Sequence, residues 1–236
     1  MIFDIQISVS KIKKYATSAS GDTVEVTERP QGGVSVVLAD GQSSGKGAKW
    51  VSTFVVRKVI TLLAEGVRDG AAARAASDSL FTERGGRVSA ALNIISIDNQ
   101  SKTMLITRNN PAPAILVDGD IHILNEPCNP IGIYRGTRPN ITEISLKSGI
   151  IGIVYSDGLI HCGARYGEQF DIGAYIEKQL KNNKISSEKI ADSLLKYALD
   201  QDKGRPADDI SIVVVKVDPP SGDEVRRMSV RLPLGT

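Results

Sequence analysis

Val34-Ser35-Val36-Val37-Leu38-Ala39-Asp40-Gly41-Gln42-Ser43-Ser44-Gly45 is the stretch from which the rest of the chain is read. Val34 to Leu38 is mostly apolar and lacks polar alternation, the pattern of a strand covered on both faces. The run ends in Asp40-Gly41. A carboxylate at the end of a buried strand is costly to desolvate unless a cation or hydrogen-bond donors receive it. Gly41 permits a sharp turn and a close approach to its carbonyl. A single Asp-Gly reads most simply as a solvated turn. Here the arrangement recurs: Ile150-Ile151-Gly152-Ile153-Val154-Tyr155-Ser156 runs into Asp157-Gly158, and Asp208-Asp209 precedes a last apolar run from Ile210.

Upstream, Gly21-Asp22 opens Thr23 to Thr27, β-branched and alternating, a second strand. Arg29-Pro30-Gln31-Gly32-Gly33 is a turn signal. Antiparallel pairing through that turn brings Asp22, which begins one strand, and Asp40, which ends the other, to the same sheet edge. Asp22, Asp40, Asp157 and Asp208 thus each abut a run expected to be buried. If they converge, each like-charged pair about 4 Å apart costs roughly 1 to 4 kcal/mol, depending on the effective dielectric. Such a cluster persists at neutral pH only with cations between its members. All-oxygen ligation selects hard ions, Mg²⁺ or Mn²⁺, over zinc. The competing reading is four unrelated turn residues, and the repetition of Asp-Gly after two separate apolar runs weighs against it.

The rest of the chain supplies the frame. Residues 2 to 12 alternate as a half-buried strand. After the loop 42 to 47, Val51, Phe54, Val55, Val59, Leu62 and Leu63 fall at helical spacing, and Asp69-Gly70 separates a second helix, Ala71 to Phe81. Val88 to Ile97 and Thr103 to Thr107 read as paired strands. Ile115 to Val117 and Asp120 to Leu124 read as a hairpin with a primed turn at Asp118-Gly119. Ile141 to Leu146 and Ile150 to Tyr155 are expected to pair around Lys147-Ser148-Gly149. Helices follow at 172 to 182 and 187 to 200, the second behind a Ser-Ser cap, and Ile210 to Val217 is the last strand. Strands arriving as hairpins predict an α+β fold of two stacked antiparallel sheets with helices outside, not alternating βαβ units. The expected domain is 1 to 218, with 219 to 236 a tail or an added edge strand.

The 236 residues are 41% apolar and 24% charged, with a net charge of +2, which demands neither a nucleic acid nor an acidic membrane as partner. No apolar run reaches about 18 residues, and the start lacks signal-peptide character. Cys128 and Cys162 lie far apart without metal-type spacing, as in a reduced cytoplasm. The expectation is a soluble cytoplasmic domain. Gly45-Lys46-Gly47 fails as a P-loop, because Asp40 stands where the first glycine belongs and Gly47 where Ser or Thr is required. Ser43 and Ser44 lack a nucleophile elbow. His122 and His161 have no partner at a nucleophile-like spacing and read as packing or surface residues.

Gly21-Asp22, Ala39-Asp40-Gly41, Tyr155-Ser156-Asp157-Gly158-Leu159 and Asp208-Asp209-Ile210-Ser211, in that order, resemble the acidic motifs of metal-dependent (PPM-type) serine/threonine protein phosphatases. The branch they resemble is the bacterial SpoIIE, RsbU and RsbX group. Thr107 to Leu116, TRNNPAPAIL, is similar to the loop and strand after that branch's central hairpin. The resemblance covers about residues 15 to 217.

It implies a four-layer α-β-β-α sandwich of two antiparallel sheets flanked by helix pairs. It implies that Asp40 bridges two ions, Mn²⁺ or Mg²⁺, with the Gly41 carbonyl on one of them. Asp22 would serve the second ion, Asp157 and Asp208 would hold the first, and Asp209 would steady the site. Asp40 and Asp157 would be central to catalysis, with a metal-activated water attacking phosphorus in line and no phosphoenzyme. Two departures stand out: Gln42 occupies the position where many members carry His, and their basic phosphate-binding residue is not recognisable.

Without a sensor segment the chain most resembles stand-alone RsbX. That implies a phosphorylated signalling partner of stressosome or anti-anti-sigma type, with no nucleic acid and no membrane. The alternatives are a catalytically idle PPM-like module that binds a phosphorylated partner, and a hydrolase of small phosphoesters. The intact acidic positions favour an enzyme over the idle module, and no specificity pocket is legible to choose between protein and small phosphoester substrates.

Overall fold

The residues leading to Asp40 point alternately into two different cores. The computed structural model describes residues 3–180, 185–220, 222 and 225–233. In it, strand β3 (Gly33–Gly41) sends Val36 and Leu38 into one hydrophobic cluster and Val37 and Ala39 into another. This is the period of two of a pleated strand used on both faces. The first cluster fills the space between two sheets. The second lies between β3's own sheet and the helices α1 (Gly45–Ala64) and α2 (Asp69–Arg84).

That sheet runs β2-β3-β4-β5-β8, where β2 is Asp22–Glu28, β4 Ala90–Asp98, β5 Thr103–Asn109 and β8 Asn140–Ser145. The other runs β1-β10-β9-β6-β7, where β1 is Asp4–Ile12, β6 Ala114–Asp118, β7 Asp120–Leu124, β9 Ile151–Tyr155 and β10 Ile210–Asp218. Every pairing is antiparallel. In β10, Val213, Val215 and Val217 face the first sheet. Ile210, Ile212 and Val214 face α3 (Ile172–Leu180) and α4 (Ser187–Gln201). The result is the expected four-layer α-β-β-α sandwich. Each fully buried Leu, Ile or Val in these layers contributes about 1.5–3 kcal/mol.

Three local expectations change. First, β8 and β9 do not pair with each other. β8 bonds to β5 at one sheet's edge, whereas β9 lies between β6 and β10 in the other sheet. Their burial explains this: β8 alternates half-buried and exposed, while all five residues of β9 are buried, as suits a central strand covered on both faces. The chain changes sheets at Lys147 to Ile150, where Gly149 N donates to Val217 O at 2.7 Å. Second, the β6–β7 register pairs Asp118 with Asp120. The turn is therefore odd-numbered, with Gly119 at its tip at φ +83°, and not a two-residue primed turn. Third, α1 starts inside the expected loop, and Asp69-Gly70 opens α2 instead of preceding it.

The Ser186 side chain caps α4, accepting from Lys189 N. Positions 181 and 182 of the expected third helix lie outside the described residues. Residues 225–233 carry no strand, and Arg226 Nη1 meets Glu28 Oε2 at 2.7 Å. Among the described residues no helix is long and apolar enough to cross a membrane.

Candidate metal centre

The β2–β3 register places Asp22 directly opposite Asp40. Asp157 opens a one-turn 3-10 helix, Asp157–Leu159, just beyond β9, and Asp208-Asp209 immediately precedes β10, the strand paired with β9. These two ends are sewn together: Ser156 N donates to Ser211 O (3.0 Å), Ser211 N to Ser156 Oγ (2.9 Å), and Ser156 Oγ to Asp209 O (3.2 Å). Asp209 then bridges the two sheets. Its carboxylate accepts from Lys14 N at 2.8 Å and from Gly21 N, next to Asp22, at 2.7 Å. Carboxylates from both sheets thereby share one end of the sandwich.

The glycines are required by contact. A methyl group on Gly41 would fall 2.1 Å from the Ala48 carbonyl oxygen, and one on Gly158 would fall 2.2 Å from Asp209 O. Gly41 makes no turn, since it continues β3 opposite Ala90.

Asp22 is fully buried, and neither of its carboxylate oxygens has a hydrogen-bond partner. Burial pushes its carboxyl upward. Ser211, Ser156 and Lys11 ease the charge, although none of them makes a well-formed hydrogen bond to it. Burial and then the Asp22 and Asp157 charges push Asp40 up to about 9. Asp157 is raised by burial and by Asp208, and His161 partly offsets this.

Two lysines converge on the same spot. Lys11 Nζ and Lys49 Nζ both donate to the Asp22 carbonyl, at 2.5 and 2.8 Å, and Lys49 also reaches Thr23 Oγ1 at 2.9 Å. Burial lowers both ammonium pKa values, and Lys49 lowers that of Lys11 further. They neutralise the surroundings of Asp22 while leaving its carboxylate open.

Among the described residues, no three His, Cys, Asp or Glu side chains close on one metal-sized point as they stand. The chemistry of the donors nevertheless fits a hard cation: a buried carboxylate with two orphan oxygens faces a second carboxylate that burial and two like charges keep protonated.

Sequence reasoning missed Lys11 and Lys49. His161 is exposed, as a surface reading expects, and lies one turn past Asp157, its backbone N donating to Asp157 O at 3.1 Å. Gln42 is tied to Ser89: Gln42 N donates to Ser89 O and Ser89 N to Gln42 Oε1, both at 2.9 Å. His122 and Cys128 lie away from the carboxylates, His122 on the edge strand β7 and Cys128 donating to Asn110 O at 3.1 Å.

A four-layer sandwich with acidic strand ends gathered at one edge is the arrangement that the resemblance to PPM-type phosphatases implies. The chain matches the stage II sporulation protein E (SpoIIE) family over residues 30–218 and belongs to that family. It is similar to stage II sporulation protein E of Bacillus subtilis (strain 168), at 24% identity over 201 residues, 84% of this chain and 24% of that protein. The chain therefore spans about a quarter of that relative's length. Among solved structures, the PP2C phosphatase domain with a fragment of the regulatory domain of SpoIIE from Bacillus subtilis superposes with a TM-score of 0.78 at 22% identity, covering 93% of this chain and 64% of that one. RsbX in complex with magnesium superposes with a TM-score of 0.70 at 16% identity, covering 92% of this chain and 100% of that one. At these identities the structural likeness shows a shared fold.

Proposed function

We propose that this chain is a Mn²⁺- or Mg²⁺-dependent phosphoserine/phosphothreonine protein phosphatase. The observation that carries the reading is the buried Asp22 carboxylate, unpartnered, opposite an Asp40 pushed up to about 9. Asp40, Asp22, Asp157, Asp208 and the Gly41 carbonyl would hold the metal. The ions would supply Lewis acidity and a water that ionises near neutral pH.

The chain's own residues do the rest. Asp209 fixes the approach of Gly21 to the site, and the Ser156–Ser211 bonds hold the ends of β9 and β10 in step. Gln42 is committed to Ser89. His161, beside Asp157, is our candidate to give a proton to the departing serine or threonine oxygen. Replacing His161 by Gln should slow an alkyl phosphoserine substrate more than an aryl phosphate, whose leaving group needs less protonation.

The catalytic unit is residues 1–218, with 219–236 outside it. The setting is cytoplasmic, and the substrate is a phosphorylated signalling protein of stressosome or anti-anti-sigma type. Membership of a family that includes stage II sporulation protein E, and the likeness to RsbX, support this. A phosphoserine side chain is short, so a folded partner must bring its backbone to the loops around Asp157 and Asp208. The test is phosphate release from a folded phosphoprotein with Mn²⁺, with Mg²⁺ and with chelator. Metal-dependent release is expected, and none under any condition would overturn the reading.

A further inference from the structure

Three segments meet around Asp157 and Asp208, and two buried carboxylates lace them together. Asp202, 2% exposed, accepts from Gly163 N and Ala207 N, each at 2.9 Å. Asp209, 4% exposed, accepts from Lys14 N and Gly21 N, and Tyr15 N donates to Pro206 O at 3.0 Å. Segments 13–17, 163–167 and 202–207 therefore form one continuous rim beside the candidate metal centre.

On this rim two cations are propped on aromatic rings. The Arg205 guanidinium stands 5.3 Å from the Tyr15 ring centre and the Lys203 ammonium 3.9 Å from that of Tyr166. Both rings are exposed, Tyr15 at 55% and Tyr166 at 41%. A ring holds a cation in place without neutralising it. Among the described residues no carboxylate lies within 4.0 Å of Lys203 or Arg205. Lys203 also keeps φ at +52°, a left-handed conformation that lysine rarely adopts.

Lys11 and Lys49, which turn inward onto Asp22, show what counter-charges for the acidic centre look like in this fold. Lys203 and Arg205 do the opposite, pointing unpaired cations outward on the rim while Asp202 and Asp209 of the same loop are buried and bonded to backbone N–H groups. We infer that this rim reads acidic side chains flanking the phosphorylated residue, so that the preferred substrate is a phosphoserine or phosphothreonine within an acidic segment. Charge complementarity selects that occupant. The inference rests on the phosphatase reading for turnover, but its binding arm does not.

The experiment compares two phosphoserine peptides of equal length, one with Asp and Glu flanks and one with Ala flanks, in Mn²⁺ at low ionic strength. The acidic peptide should show about fivefold higher kcat/KM, carried by KM, as expected for a few exposed charge contacts. The gain should shrink at physiological salt. It should vanish in Lys203→Ala/Arg205→Ala and reverse in Lys203→Glu/Arg205→Glu, with turnover of a small aryl phosphate, which does not reach the rim, as the reference. Equal kcat/KM for the two peptides in the unmodified protein, or a preference that survives both double variants, would overturn the inference. Should neither peptide be hydrolysed, the phosphatase reading stands or falls on release from a folded phosphoprotein, and the rim is judged by binding alone. Fluorescence anisotropy with the same labelled peptides then decides: tighter binding of the acidic one supports the rim, and equal binding overturns it.

Discussion

Asp22, at one end of β2, and Asp69, which packs from α2 against the other end of the same sheet, are both buried, at 0% and 3% exposure. Asp69, in the first turn of α2, accepts from Arg29 Nη1 at 2.7 Å and from the Ser96 hydroxyl. Ser96 bonds onward to Ser35 at 2.7 Å, and Arg29 Nη2 donates to Val67 O at 3.1 Å. Both oxygens are thus satisfied, one of them by a buried cation, and the helix N-terminus adds a favourable dipole. At the other end, the Asp22 carboxylate has no partner, and the nearby lysines bind its carbonyl instead. Folding alone selects the Asp69 arrangement. A carboxylate kept buried and unsatisfied costs stability, and that cost is what marks Asp22 as part of the proposed metal centre.

That contrast can be broken from either end. The largest effect should come from Asp69→Ala, which strands the buried Arg29 charge. It should cost about 3–5 kcal/mol of stability, seen as a fall of about 10 °C in melting temperature, with turnover per folded molecule retained at low temperature. Asp40→Asn should do the reverse. Metal-dependent phosphate release should drop at least about a hundredfold, close to 3 kcal/mol of barrier, while the metal-free melting temperature holds or rises by a few degrees.

The metal-free protein should also lose stability as pH rises. Asp40's pKa is raised from 3.8 to about 9 in the folded chain. The folded state therefore holds a proton that the unfolded chain loses above pH 4. The stabilisation is full below about pH 4 and is lost as pH rises towards 9, by up to about 1.4 kcal/mol per pH unit. Melting curves of metal-free protein between pH 5 and 9 should fall with pH. Mn²⁺, or the Asp40→Asn substitution, should flatten that slope.

Replacing Lys11 or Lys49 by Met should lower the metal-free melting temperature by about 2–4 °C, for roughly 1 kcal/mol of lost charge compensation. The Arg29–Asp69 end would be untouched. Arg226→Ala, at the exposed contact with Glu28, should change stability by less than about 0.5 kcal/mol.

The acidic edge was legible because it violates a rule locally. An apolar strand ending in Asp-Gly is anomalous within ten residues, and the hairpin turn at 29–33 places Asp22 opposite Asp40. The layering was legible from strands arriving as hairpins. What escaped depended on distant partners. Lys11 and Lys49 look like ordinary solvated lysines until the fold brings the Asp22 carbonyl to them. Asp69-Gly70 looks like a break, because Arg29 and Ser96 are remote in sequence. The short link Lys147-Ser148-Gly149 suggested a hairpin, yet the decisive signal was the unbroken apolar run of β9, which demands a central position. Asp202, which laces the rim, stands in a polar loop without any local pattern to single it out.

Whether the edge formed by Asp22, Asp40, Asp157 and Asp208 is a metal centre can be read from calorimetric titration of Mn²⁺ into the metal-free protein near neutral pH, in buffers of different ionisation enthalpy. Binding should be accompanied by proton release, because the raised Asp40 must ionise to ligate, and Asp40→Asn should lose both the binding and the released proton. Absence of binding to the unmodified protein, or unchanged binding to Asp40→Asn, would contradict the assignment.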